Sequence, residues 1–143
     1  MGKFNITNEE AVFLERLGIE ALILFGSQAQ GTATERSDYD VGVLVSDLKQ
    51  AKESELRRKL YDALYDFLSS KINKLVDIDI VFLEDAPAEL QSHVVKYGVS
   101  LYEKRVQNFP RFKERIMQQY ADFEPIRHLF HHAIMKRISE TAK

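Results

Sequence analysis

The sequence predicts an α/β (α+β) domain, a short mixed sheet flanked by helices, and three observations carry that expectation. Two apolar runs, residues 21–25 and 41–45, have the length and composition of strands buried on both faces. A third run, 75–83, interleaves apolar residues with Asp77 and Asp79. Around them lie stretches whose apolar residues recur at helical spacing behind helix-start signals. At 143 residues the chain fits one domain. A chain of this size buries about two thirds of the surface its unfolded form exposes, so a substantial core is available.

Each element follows in order. Thr7 and Glu10 form a capping box that opens a helix through Ala11, Val12, Leu14 and Leu17, and Gly18 stops it. The run Ala21-Leu22-Ile23-Leu24-Phe25 is the first strand, ending in Gly26. A polar segment from Ser27 to Ser37 leads into the second strand, Asp38 to Val45. Ser46 or Asp47 caps a long helix to about Ser70, with Leu56, Leu60, Ala63, Leu64, Phe67 and Leu68 on its buried face. Residues 75–83 form the third strand. Pro87 suits the first turn of a helix ending near Gly98, and 99–102 reads as a brief strand. From Pro110 onward the spacing of Phe112, Ile116, Met117 and Tyr120, then Ile126, Leu129, Phe130, Ile134 and Ile138, is helical, with Pro125 as a kink or division.

Composition excludes several classes. A 45% hydrophobic and 29% charged content is that of a folded globular chain. The net charge of −2 provides no global field toward nucleic acid or an anionic membrane. Without cysteine there is no disulfide framework, Cys-type zinc site or thiol nucleophile. No apolar stretch approaches the ~20 residues of a membrane helix. The N-terminus lacks the apolar region of a signal peptide, so the expectation is a cytoplasmic protein.

Two features carry chemistry. Gly26-Ser27-Gln28-Ala29-Gln30-Gly31-Thr32 follows the first strand and has the glycine spacing of a P-loop, but Thr32-Ala33 stands where that motif needs Lys and a hydroxyl residue. No dinucleotide-binding G-x-G-x-x-G occurs either. What survives is a Gly-Ser turn: glycine lets a ligand approach the backbone, and serine adds a hydroxyl. The same dipeptide is also ordinary turn chemistry.

The second feature is a set of acid-x-acid pairs. Glu53/Glu55 and Asp122/Glu124 fall on predicted helices, where i and i+2 do not share a face, and read as surface charges. Asp38/Asp40 and Asp77/Asp79 fall on predicted strands, where i and i+2 point the same way. Carboxylates on one face of an apolar strand call for a cation, a partner or an exposed strand end. Three of them converging at one sheet end, with no Cys or clustered His beside them, make a hard oxygen site suited to Mg²⁺. Phosphate-binding donors nearby suggest phosphoryl or nucleotidyl transfer.

Leu24-Phe25-Gly26-Ser27, a ten-residue spacer and Asp38-Tyr39-Asp40-Val41 together resemble the minimal nucleotidyltransferases of the DNA polymerase β-like superfamily. Resemblance extends through Gly31-Thr32, Ser37, Asp79-Ile80-Val81, Ala86-Pro87 and Gly98-Val99-Ser100-Leu101-Tyr102. The later Tyr120-Ala121-Asp122-Phe123 is similar to the members that serve as antitoxins beside HEPN-type RNase toxins. The resemblance implies a polymerase β-like fold, with residues 1–105 as the nucleotidyltransferase domain and 106–143 as a C-terminal helical extension packing on it. It also implies that Gly26 and Ser27 hold the triphosphate of ATP, with Ser37 and Arg36 beside the nucleotide. Asp38, Asp40 and Asp79 would bind Mg²⁺, and Asp79 would also deprotonate the acceptor hydroxyl, with Asp77 as the alternative third acid. Gln30 departs from the pattern by replacing an arginine, and the lost cation would weaken nucleotide binding or loosen nucleotide choice unless Arg36 compensates.

The implied activity is transfer of AMP from ATP to a tyrosine of a HEPN-type toxin. The small size agrees, because no separate acceptor-gripping domain fits and a protein acceptor brings its own surface. The alternatives are a binding module that neutralises its partner stoichiometrically, and an enzyme acting on a small aminoglycoside-type acceptor, with a homo- or hetero-oligomer compatible with each. His128, His131 and His132 share a predicted helical face but lack the carboxylate of a metal motif, and read as a partner-facing or solvated stripe. Lys113, Arg115, Arg127, Lys136 and Arg137 read as a solvated face rather than an RNA-binding one. Tyr39 is expected in the core, and His93 at the surface.

Overall fold

The computed structural model describes residues 3–121 and Lys136. The expected kink at Pro125, the helix beyond it, the pair Asp122/Glu124 and the three clustered histidines lie outside the described residues.

The element order is α1 (Asn8–Arg16), β1 (Ile19–Phe25), α2 (Ser27–Gln30), β2 (Tyr39–Val45), α3 (Lys49–Lys52), α4 (Ser54–Ile72), β3 (Ile78–Phe82), α5 (Ala88–Tyr97), β4 (Val99–Glu103) and α6 (Asn108–Ala121). The four strands form one sheet in the order β3-β2-β1-β4. β1 is antiparallel to both its neighbours, whereas β2 and β3 are parallel and joined through α3 and α4. The expected short mixed sheet flanked by helices is therefore what forms.

Strand alternation sends successive side chains to opposite faces. On one face, Leu22 and Leu24, Val41, Val43 and Val45, and Ile78, Ile80 and Phe82 pack with Leu14 of α1 and Leu60, Leu64, Leu68 and Ile72 of α4. On the other, Ala21, Ile23, Phe25 and Leu44 pack with Val94 of α5 and Phe109, Phe112 and Ile116 of α6. Tyr39 joins the first cluster, as expected of a residue between two outward-facing acids.

Several boundaries differ from the sequence expectation, three of them with a clear local cause. The long helix after β2 is two helices, because Glu53 is extended (φ −79°, ψ 119°) between them. Asp47 does act at the start, its Oδ1 accepting from the Lys49 N–H at 3.0 Å, but Leu56 is exposed rather than core. The third strand begins at Ile78 rather than 75, because Asn73 ends α4 in the left-handed region (φ 50°) and leaves Leu75 fully exposed. α6 begins at Asn108, whose Oδ1 accepts from the Arg105 N–H at 2.7 Å, while Glu103 Oε1 accepts from the Phe109 N–H at 2.8 Å.

The capping box of α1 forms as expected. Thr7 Oγ1 accepts from the Glu10 N–H at 3.2 Å, and Glu10 Oε1 accepts from the Thr7 N–H at 2.9 Å. Glu10 also pairs with Lys71 at 3.0 Å, tying α1 to the end of α4. The backbone hydrogen bond to Thr7 is the main reason the Glu10 carboxyl lies below its ordinary range. That contribution is present above the ordinary carboxylate value and is lost as pH falls through the lowered one. Thr7→Ala is expected to cost about 1 kcal/mol, a fall of about 3 °C in a thermal unfolding scan at neutral pH.

Candidate active site

β1 ends at Phe25, and the chain turns at Gly26 with φ 75° and ψ −157°, a conformation that an L side chain rarely adopts. A Cβ at Gly26 would collide with the Asp40 carboxylate. The glycine thus does two things: it makes the turn, and it lets the carboxylate lie against the backbone that leads to Ser27. Ser27 is half-buried and opens the one-turn α2, which Gly31 closes in the left-handed region (φ 75°).

The segment between α2 and β2 is tied at both ends. Gln28, only 5% exposed, donates through its amide to the Ser37 carbonyl at 3.2 Å. The Ser37 hydroxyl accepts from the Thr34 N–H at 2.8 Å and lies 3.2 Å from Thr34 Oγ1. The Ser37 N–H donates to the Thr34 carbonyl at 3.1 Å. Ser37 is thus the knot of a local turn. Arg36 is exposed within that turn, where its N–H donates to Thr34 Oγ1 at 3.3 Å, and Gln30 is exposed at the end of α2.

Asp40 is the second residue of β2, opposite Phe25 across the antiparallel pair and opposite Asp79 across the parallel one. Phe25, Asp40 and Asp79 therefore stand in a row on the sheet face that carries α5 and α6. Asp38 lies just before β2 rather than within it, and Asp77 just before β3, where its carbonyl accepts from the Tyr39 N–H at 2.9 Å. The expectation that both pairs lie wholly within strands is corrected by one residue in each case. Asp38 nevertheless stays within electrostatic reach of Asp40: burial, then the charges of Asp79 and Asp38, push the Asp40 carboxyl above its ordinary range. Asp77 makes no such contribution.

A half-buried carboxylate facing two others, with no ion pair of its own among the described residues, suits a hard divalent ion. Among the described residues no group of three or more His, Cys, Asp or Glu side chains is placed to hold a metal ion, so Asp38, Asp40 and Asp79 do not by themselves form a three-carboxylate ion site.

Sequence reasoning missed Gln28 as the anchor of the spacer segment, since a lone glutamine in a turn carries no periodic signal. It also placed His93 at the surface. The side chain is instead half-buried, 6.3 Å from the Phe25 ring and 5.1 Å from the Tyr97 ring between centroids. Among the described residues no helix is long and apolar enough to cross a membrane.

Comparison with known proteins supplies the family. Protein adenylyltransferase MntA of Shewanella oneidensis is 35% identical over 85 residues, 59% of this chain and 54% of MntA, so the match spans about half of that protein. A Methanocaldococcus jannaschii relative with a provisional protein adenylyltransferase name is 34% identical over 58% of this chain and 79% of its own length. The fold is similar to that in a crystal structure of a toxin-antitoxin with AMP-PNP, with TM-score 0.58 and 28% identity over 90% of this chain and 99% of that one. Residues 9–107, which hold the glycine turn, the row of acids and all four strands, match the sequence profile of polymerase beta nucleotidyltransferases, and the chain belongs to that family.

Proposed function

We propose that this protein is a Mg²⁺-dependent nucleotidyltransferase that moves AMP from ATP to a hydroxyl of a partner protein, a tyrosine of a HEPN-type toxin, and so acts as its antitoxin in the cytoplasm. The observation that carries the reading is the contact between glycine and acid: the Gly26 turn lies against the Asp40 carboxylate, where a Cβ would collide with it, and Asp40 stands opposite Asp79. The name of the Shewanella relative and the AMP-PNP in the similar toxin-antitoxin structure support the same donor and the same kind of partner. Residues 1–105 would be the catalytic unit and 106–143 an extension packing on it.

Gly26 and Ser27 would receive the triphosphate, the glycine through close backbone approach and the serine through its hydroxyl. Ser37 would act by holding the turn that delivers Asp38, and Arg36 would lie beside the nucleotide. Asp38, Asp40 and Asp79 would hold Mg²⁺, which when bound polarises the α-phosphate and neutralises charge on the leaving group. Asp79, exposed on the edge strand, would take the proton of the acceptor hydroxyl. The freed oxygen forms the new bond to the α-phosphorus, the bond to the β-phosphate bridging oxygen breaks, and pyrophosphate leaves.

The test uses the full chain, Mg²⁺, the partner toxin, and ATP labelled on either the α- or the γ-phosphate. The expected result is one labelled toxin band from α-labelled ATP only, absent with Asp38→Ala/Asp40→Ala. If neither ATP labels the toxin while the chain still binds and silences it, the protein is a stoichiometric binder. Transfer to an aminoglycoside in the absence of any protein would make it a small-molecule enzyme.

A further inference from the structure

We infer that Phe25, His93 and Tyr97 form an aromatic ledge that receives the nucleobase of the donor nucleotide. The inference rests on the nucleotidyl-transfer reading and extends it to a part of the site that the motif residues do not reach.

Phe25 is the cross-strand partner of Asp40 on the sheet face that carries α5. Its ring meets His93 edge-on, with centroids 6.3 Å apart at 74°. One helical turn later Tyr97 lies 5.1 Å from His93. Residues four apart on a helix share a face, so α5 presents both rings together. β4 starts at Val99, which pairs with Leu24, so Tyr97 is held at the same end of the sheet as the Gly26-Ser27 turn.

The strand order decides which aromatic ligand the ledge takes. Across the sheet the sequence of groups is Asp79 on β3, Asp40 on β2, Phe25 and the glycine turn on β1. The proton acceptor for the incoming hydroxyl thus lies on one side of Asp40, and the phosphate turn and the ledge on the other. The acceptor's own aromatic ring arrives beside Asp79, whereas a nucleotide whose phosphates rest on Gly26 and Ser27 has its base on the β1 side. Phe25 is buried, while His93 and Tyr97 are half-buried, so those two present the accessible ring surface and Phe25 backs them. Every base has a π-face, so such a ledge supplies affinity without reading base identity.

Binding by calorimetry, with the full chain and Mg²⁺, separates the possibilities by using ATP and inorganic tripolyphosphate as probes. The His93→Ala/Tyr97→Ala variant is expected to bind ATP about 5- to 100-fold more weakly than wild type, and tripolyphosphate within about twofold of it, while His93→Phe stays close to wild type for both. Retained tripolyphosphate binding also reports that the variant is folded around the turn. Unchanged ATP affinity in the double variant would overturn the ledge, and so would a parallel loss for both probes, which would mean that the rings only brace the turn. If the wild-type chain binds neither probe, the nucleotide reading falls and the ledge with it.

Discussion

Replacing Asp40 by asparagine is expected to abolish AMP transfer and, at pH 7, to raise the melting temperature. The two effects have one cause. Asp40 is half-buried and faces the charges of Asp79 and Asp38, so its ionised form is disfavoured in the folded protein. Its folded pKa lies above the ordinary value of 3.8, so the folded state holds the proton more tightly than the unfolded state does. Stability from this group is therefore highest in acid and falls as pH rises through the folded value. The amide of the variant carries no charge and removes that dependence. The melting temperatures of wild type and Asp40→Asn should coincide near pH 3 and separate toward neutrality, with the variant the higher at pH 7. Transfer should fall by about 10³-fold, the scale of losing a group that holds a catalytic ion. Adding Mg²⁺ with ATP should raise the wild-type melting temperature more than that of the variant, since only binding to the folded state stabilises. A variant that melts below wild type at pH 7 would mean that the carboxylate is a structural partner rather than a repelled one.

Gly26→Ala is expected to damage both stability and transfer. The turn's φ of 75° with ψ −157° is a region that non-glycine residues occupy only at a cost of about 1–3 kcal/mol. The methyl would also meet the Asp40 carboxylate, so that carboxylate must swing away from its place opposite Phe25 or the turn must move. A total loss of about 2–4 kcal/mol is expected from urea unfolding, with transfer down at least about 10²-fold, since a displacement of about 1 Å at a reacting group costs that much. Gly31→Ala is the internal control. Its φ is also 75°, but its ψ of 15° puts it in the milder left-handed helical region and a methyl there has nothing within 4 Å, so it carries less backbone strain and no collision. Equal losses for the two variants would show that strain alone, not the approach to Asp40, explains the first glycine.

What could be read from the residues alone was whatever repeats or is tightly spaced. β1 and β2 were legible because unbroken apolar runs abut glycine or an acid pair, and the capping box of α1 because both of its partners lie within one turn. Asp38/Asp40 and Asp77/Asp79 were legible as face-sharing pairs because a strand's period is two, although Asp38 and Asp77 lie one residue outside their strands, while the register that sets Asp40 opposite Asp79 has no local signal. The break at Glu53 was not, since no glycine or proline marks it and its neighbours are good helix formers. Leu75 reads as strand by composition and is exposed because Asn73 redirects the chain. Gln28 and His93 act through contacts set by tertiary packing, Gln28 with Ser37 and His93 with Phe25, for which no local pattern exists.

The clamp from Gln28 to the Ser37 carbonyl bears on how such a catalytic unit diversifies. Because the amide holds the residue just before Asp38, the position of the acids is set by the two ends of the spacer and not by its length. Extra residues inserted near Thr32 or Ala33 enlarge a closed loop, and doubling the length of a loop adds only about 0.6 kcal/mol of closure entropy. The segment between Gln28 and Ser37 is thus free to acquire length and new side chains while Asp38 and Asp40 stay in place, so the spacer and the acids are separable under mutation in this fold.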